Sequence, residues 1–308
     1  MPHNHDNLTV SPTVAYFLAA FSMVIYSSPP VVTRSVSMGV PPLALSLSRW
    51  LIAGLILLPI VWRRLPAAWP DLKRHIPSLA FLALFMVLGS TMSVLAVYFT
   101  TATNAVIVNA SQPAITAFLG FVIAGTTLLG RQRLGIACAF VGILIMVARA
   151  DPRVLLGLDF NIGDPIMLLA VLGWSTYAVL LPRRDYAPDG MVLMFVIAVT
   201  GVAFLLPAYL VEAKFAGGFH LTGGIVAAML YLAIFPTLIA TVSWNLAIRS
   251  AGANRTAIFV NLIPVSGAAL AMIFLKERLY AYHLVGAAFV IVGIYLSIRR
   301  SRPSAPRS

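Results

Sequence analysis

Ten stretches of this chain are apolar for long enough to cross a lipid bilayer, and little chain is left between them. Their approximate limits are 14–33, 43–62, 76–99, 103–124, 133–149, 162–182, 191–211, 222–246, 254–275 and 279–298. A helix needs about 20 mostly apolar residues to span a hydrocarbon core roughly 30 Å thick. Only helices and closed barrels satisfy every backbone polar group there. A barrel would show shorter, alternating segments, and these runs are long and uniformly apolar. The predicted class is therefore an all-α polytopic membrane protein with ten transmembrane helices. All nine acidic residues (Asp6, Asp71, Asp151, Asp159, Asp164, Asp185, Asp189, Glu212 and Glu277) fall in connections, tails or span ends. No stretch remains for a soluble domain.

Composition agrees. Charged residues are 10% of the chain, against roughly 25% in soluble domains. Mean hydropathy is +0.95. The net charge of +12 does not indicate a nucleic-acid partner, because such proteins gather their Lys and Arg on one face. Here the basic residues punctuate apolar runs, and the expected large partner is the lipid bilayer. With the N-terminus cytoplasmic, the inside segments hold Arg63, Arg64, Lys73, Arg74, Arg131, Arg133, Arg183, Arg184, Arg249, Arg255, Arg299, Arg300, Arg302 and Arg307, fourteen in all. The outside segments hold six, Arg34, Arg149, Arg153, Lys214, Lys276 and Arg278. This bias predicts cytoplasmic N- and C-termini. No cleavable signal is expected, so the first run is read as a retained helix. The single cysteine, Cys138, excludes an intramolecular disulfide and a CxxC metal site. No cofactor or metal is expected.

The sequence also repeats itself. A shift of 151 carries Pro113 onto Pro264, Gly135 onto Gly286, and Val141-Gly142-Ile143 onto Val292-Gly293-Ile294. A fainter match at a shift of 148 pairs Tyr26-Ser27-Ser28 with Trp174-Ser175-Thr176. The expected organisation is a tail at 1–13, a first five-helix repeat at 14–150, a linker at 151–161, a second repeat at 162–298, and a basic tail at 299–308. Five is odd, so the halves have opposite topology, the arrangement of many secondary transporters.

The second half carries Ala253-Asn254-Arg255-Thr256-Ala257 through Pro264. Then come Leu275-Lys276-Glu277-Arg278-Leu279 and a Gly-rich last helix through Val292-Gly293-Ile294. With Leu47-Ser48-Arg49-Trp50-Leu51-Ile52-Ala53-Gly54, these segments resemble the EamA-type members of the drug/metabolite transporter superfamily. The first repeat departs from the pattern, because its turn reads Ala124-Gly125-Thr126-Thr127-Leu128 and lacks the acidic residue. The resemblance implies ten helices, with spans one to four and six to nine around a central cavity. It also implies export of small metabolites such as amino acids, and residence in a bacterial inner membrane.

Several residues suit such a cavity. Pro113 and Pro264 each remove an amide donor mid-span and are read as kinks that gate or line the path, or else as inert bends. Asn109, Gln112 and Asn261 precede them and offer donors and acceptors for a zwitterion, or glue between helices. Tyr26 and Ser27 in span one face Trp174 and Tyr177 in span six as candidate walls. Thr241, Trp244 and Asn245 fall on one stripe of span eight with Thr237. Ser90 and Ser93 add hydroxyls in span three. Arg49 is the one basic residue inside a span. It snorkels outward, bonds backbone carbonyls, or contacts an anionic substrate. Gly135, Gly142, Gly286 and Gly293 are spaced for close helix packing, internally or in a homodimer. No HExxH, paired intraspan carboxylates or GxSxG supports an enzyme. The function expected is alternating-access transport of a small neutral or zwitterionic metabolite. An intramembrane enzyme and a non-transporting sensor are the alternatives.

Overall fold

A computed structural model describes residues 9–100, 105, 108–148, 151, 153, 162–183, 189–216, 218–275 and 280–298. The turn 276–279, with Glu277, lies outside the described residues, as do most of the 151–161 linker and of the two tails. Among the described residues there are helices and no strands. In chain order they are α1 (Pro12–Tyr26), α2 (Pro29–Val36), α3 (Pro42–Val61), α4 (Leu65–Phe99), α5 (Gln112–Ala124), α6 (Gly130–Val147) and α7 (Gly163–Leu180). Then follow α8 (Gly190–Ala216), α9 (Gly223–Leu232), α10 (Thr241–Ala251), α11 (Ala253–Ala257), α12 (Leu262–Leu275) and α13 (Ala281–Ile298). A π-helix at Ala233–Ala240 joins α9 to α10, and a 3₁₀ turn at Ile258–Asn261 joins α11 to α12. Six helical stretches are long and apolar enough to cross a membrane, and Gln112–Ala124 and Leu284–Ser297 are shorter apolar helices. The protein is an integral membrane protein.

Helix starts follow local rules. Ser11 accepts from the Val14 N–H at 3.4 Å and Thr222 from the Ile225 N–H at 3.3 Å, each capping a first turn. The α3 terminus is capped from outside its own segment. The Glu212 carboxylate of α8 accepts from the N–H groups of Leu43 and Ala44 at 3.1 and 3.0 Å. A carboxylate there satisfies two orphan donors and sits at the positive end of the helix dipole.

Three expectations change. Run one is not a single helix, because α1 ends at Tyr26 and α2 restarts at Pro29. Two consecutive prolines cannot continue a ladder of amide donors but are accommodated at a helix start. The connection expected between runs two and three is helical except for Trp62–Arg64, so Asp71 lies inside α4. Burial of Leu72 anchors that extension. Lastly, Pro113 and Pro264 do not kink intact helices. Ser111 is a turn residue and α5 restarts at Gln112, which places Pro113 in a first turn. Pro264 is the third residue of α12, after the 3₁₀ turn. First-turn amides have no intrahelical acceptor, so proline costs little there.

Packing pairs α1 with α10, α3 with α8, α4 with α7, and α6 with α13. The last pair meets through glycines. A Cβ on Gly135 would lie 2.5 Å from the Gly293 carbonyl oxygen, and one on Gly142 would lie 2.6 Å from that of Gly286. The backbones touch at both levels, so these glycine faces meet one another within the chain. Gly142→Leu is expected to destabilise the protein by about 1–3 kcal/mol, the usual cost of overpacking. The check is a lower melting temperature of the purified protein in detergent.

Candidate functional site

The helix ends sort onto two faces. On one, Thr100 donates to Asp164 at 2.5 Å, and Tyr98 donates to the Val40 carbonyl at 2.9 Å. On the other, Arg64 pairs with Asp189, Asn254 donates to Thr126, and the Val10 N–H donates to Ser250. A cavity of about 430 Å³ enters from the first face. Val31 and Ser35 line its mouth and are exposed. Its depth is reached at Tyr26, Arg49, Asn109, Trp174, Pro236 and Ile263. The lining draws on both halves of the chain. Its size is that of a small-molecule site.

Tyr26, Asn109, Trp174 and Arg49, all singled out from sequence, line this cavity. Tyr26 and Trp174 form an edge-to-face pair with ring centroids 5.3 Å apart, a favoured aromatic geometry. Ser90 and Ser93 also line it. Arg49 is only 7% exposed. Its Nε and Nη2 donate to Thr237 Oγ1 at 3.2 and 3.1 Å. Of the three uses foreseen for it, outward snorkelling does not occur.

The other candidates pack beneath or beside the cavity. Thr241 is buried and hydrogen-bonded to Tyr26 at 2.8 Å, so it positions a lining residue without lining. Ser27 turns back to the Val24 carbonyl at 2.7 Å. Tyr177 donates to Asn245 Oδ1 at 2.8 Å, and Asn245 Nδ2 donates to the Met194 sulfur at 3.6 Å. Trp244, Gln112 and Asn261 are buried as well. Tyr177, Trp244, Met194, Ile258 and Phe259 belong to one buried apolar cluster, and Asn245 is buried against Tyr177 and Met194 on the side of the second face.

Sequence reasoning missed α2, whose Thr33 and Ser35 line the mouth, because run one read as a uniform span. The double proline at Pro29-Pro30 was the available signal. It also missed Glu212 and Asp164 as residues that fasten helix ends on the first face.

The sequence pattern of the EamA-like transporter family matches residues 13–148 and again 161–299. The chain belongs to that family. An uncharacterized transporter of Archaeoglobus fulgidus is 26% identical over 92% of this chain and 96% of its own length. The uncharacterized transporter YyaM of Bacillus subtilis is 26% identical, and the match spans 64% of each chain. A probable amino-acid metabolite efflux pump of Salmonella typhimurium is 25% identical over 61% of this chain and 64% of its own. A solved crystal structure shares the fold, with a TM-score of 0.73 at 18% identity, over 93% of this chain and 97% of that one. The family and these names are those of transporters, not enzymes.

Proposed function

We propose that this EamA-like chain is a secondary transporter, an exporter, of a small neutral or zwitterionic metabolite of amino-acid size. In this reading it crosses the bacterial cytoplasmic membrane ten times as two inverted five-helix repeats, with both termini cytoplasmic. One observation carries it: a cavity lined by both halves is open toward one face, and the side chains between it and the other face, Tyr177, Trp244 and Asn245, are buried. On the positive-inside orientation, that other face is cytoplasmic and the structure is outward-facing.

Helix pairing supports the two-repeat reading. Exchanging each span of one half with its counterpart in the other turns the α1–α10 pair into the α7–α4 pair. It returns α3–α8 and α6–α13 to themselves. All these pairs are among the packed ones. The two stretches matched by the family pattern support it too. The interruptions at Ser27-Ser28, Ser111, Ala233–Ala240 and Ile258–Asn261 cluster around the cavity depth. Broken helices at a midplane site are a recurring transporter device, tolerated because the irregular backbone is buried in protein or lines the cavity.

Counterflow into proteoliposomes tests the proposal. A panel of labelled amino acids, with and without a pH gradient, should give saturable uptake that an opposing unlabelled pool accelerates. Absence of flux from folded protein would remove the amino-acid reading. Site accessibility tests the mechanism. With Cys138→Ala as background, single cysteines on the two sides of the cavity should label reciprocally as substrate is added. Simultaneous labelling of both sides would indicate a pore.

A further inference from the structure

The cavity's charge is one-sided. Among the described residues, Arg49 is the one charged side chain that lines it. The ion pairs Arg64–Asp189 and Arg153–Asp151 lie away from it and do not involve Arg49. Its described protein partner is the neutral hydroxyl of Thr237. That hydroxyl is fixed in orientation, because Thr237 Oγ1 donates its only proton to the Leu232 carbonyl at 2.7 Å. It therefore only accepts from Arg49. The five-residue step from Thr237 back to Leu232 is the spacing of a π-helix, and it occurs at Ala233–Ala240. The widened turn thus holds the guanidinium at the cavity wall. Thr237 receives two of its five N–H groups, and the others have no protein acceptor among the described residues.

The same device sets Tyr26. Thr241 Oγ1 donates to the Pro236 carbonyl at 3.0 Å, so Tyr26 must be the donor in its 2.8 Å bond to Thr241. The phenol oxygen then has acceptor capacity only. A ligand beside these residues meets a fork of donors at Arg49, an acceptor at Tyr26, and the apolar edge-to-face wall of Tyr26 and Trp174.

We infer that Arg49 binds a single carboxylate, which narrows the proposed class of cargo from neutral or zwitterionic metabolites to carboxylate-bearing ones and extends it to small monocarboxylate anions with an apolar or aromatic body. An α-amino group is accepted, by Tyr26 and Asn109, but not required. A buried cation without a counter-charge is costly, and a carboxylate matches its planar fork bidentately. A phosphate dianion would leave one charge uncompensated. An amine without a carboxylate would be repelled by Arg49, with only the acceptors at Tyr26 and Asn109 to offset it. This assignment rests on the carrier reading for its word cargo, but its test is binding.

Binding to purified protein in detergent would be measured for four probes that share one body: 3-phenylpropanoate, phenylalanine, 3-phenylpropanamide and 3-phenylpropylamine. The acid and the amino acid should bind, and the amide and the amine roughly 10- to 100-fold more weakly, the range for a charge-assisted hydrogen bond. In Arg49→Gln the new amide still donates to Thr237, which favours folding. Its acid-to-amide affinity ratio should fall to about one, the result expected once the charge-assisted contact is gone. A merely structural arginine would lower all four affinities together and keep the ratio. Equal binding of acid and amide to the unmodified protein, or binding of neither carboxylate, overturns the inference. Arg49-dependent binding of the acid without counterflow would sink the carrier reading alone. Counterflow of the amide as fast as the acid would sink the Arg49 assignment alone.

Discussion

Gly89→Ala is expected to cost the protein its aromatic wall and most of its transport. A Cβ at Gly89 would overlap the indole of Trp174 at Cδ1 and Nε1. The helices cannot simply move apart, because α4 and α7 touch at this level. A Cβ on Gly173 would lie 2.8 Å from Gly89 N and 3.0 Å from its Cα. The indole is rigid and must leave its place, which shifts it into the cavity and away from Tyr26. Overpacking of this kind costs about 1–3 kcal/mol. Affinity for any substrate that stacks on Trp174 should fall by roughly 5- to 150-fold, the same energy expressed as a ratio. The check is the initial rate of counterflow beside the melting temperature. Gly54→Ala is the control, since its added Cβ would meet only Ala198 Cβ at an ordinary 3.7 Å. It should lower neither quantity, since a helix-interior Gly→Ala change without a clash is neutral to stabilising. Unchanged transport in Gly89→Ala would show that Trp174 does not form the binding wall.

The two variants also show what a sequence can and cannot disclose about this fold. The apolar runs were legible because lipid admits no alternative to internally bonded helices. Every run contains described helix. The π-helical and 3₁₀ interruptions were not legible. Thr237 and Thr241 sit on one stripe whether the helix is α or π, and periodicity does not distinguish a five-residue hydroxyl-to-carbonyl bond from a four-residue one. Of the wall residues, Tyr26 and Trp174, which the sequence shift pairs, lie in edge-to-face contact on the cavity wall. Tyr177 and Asn245 were placed with them because helical spacing reports a face. It does not report how far along the pathway a residue lies, nor whether that end is open. A carrier also has more than one conformation, and a residue that seals one is free to line another.

Tyr177→Phe should bring the buried layer on the second face into view. Tyr177 is 1% exposed and Asn245 is 4% exposed. The Tyr177 hydroxyl donates to Asn245 Oδ1 at 2.8 Å. Removing it leaves a buried amide oxygen short of a donor, at a cost of about 1–3 kcal/mol. That cost falls only on states in which the layer is closed. Where the layer opens, water supplies the missing donor. The equilibrium therefore moves toward the opened layer by roughly 5- to 150-fold, the ratio equivalent of that energy. Ala247 reports the change, because it is fully buried on α10 two residues beyond Asn245. In a Cys138→Ala background, Ala247→Cys should react with a water-soluble maleimide faster by that factor when Tyr177→Phe is added. Ser35→Cys at the open mouth should change little, since that position is already exposed. General loosening is separated from opening by Gly142→Leu, which should lower the melting temperature without exposing Ala247→Cys. An unchanged labelling rate in Tyr177→Phe would mean that the Tyr177–Asn245 bond survives in both states. The moving part would then lie elsewhere, on the helices interrupted at Ser27-Ser28 and Ser111.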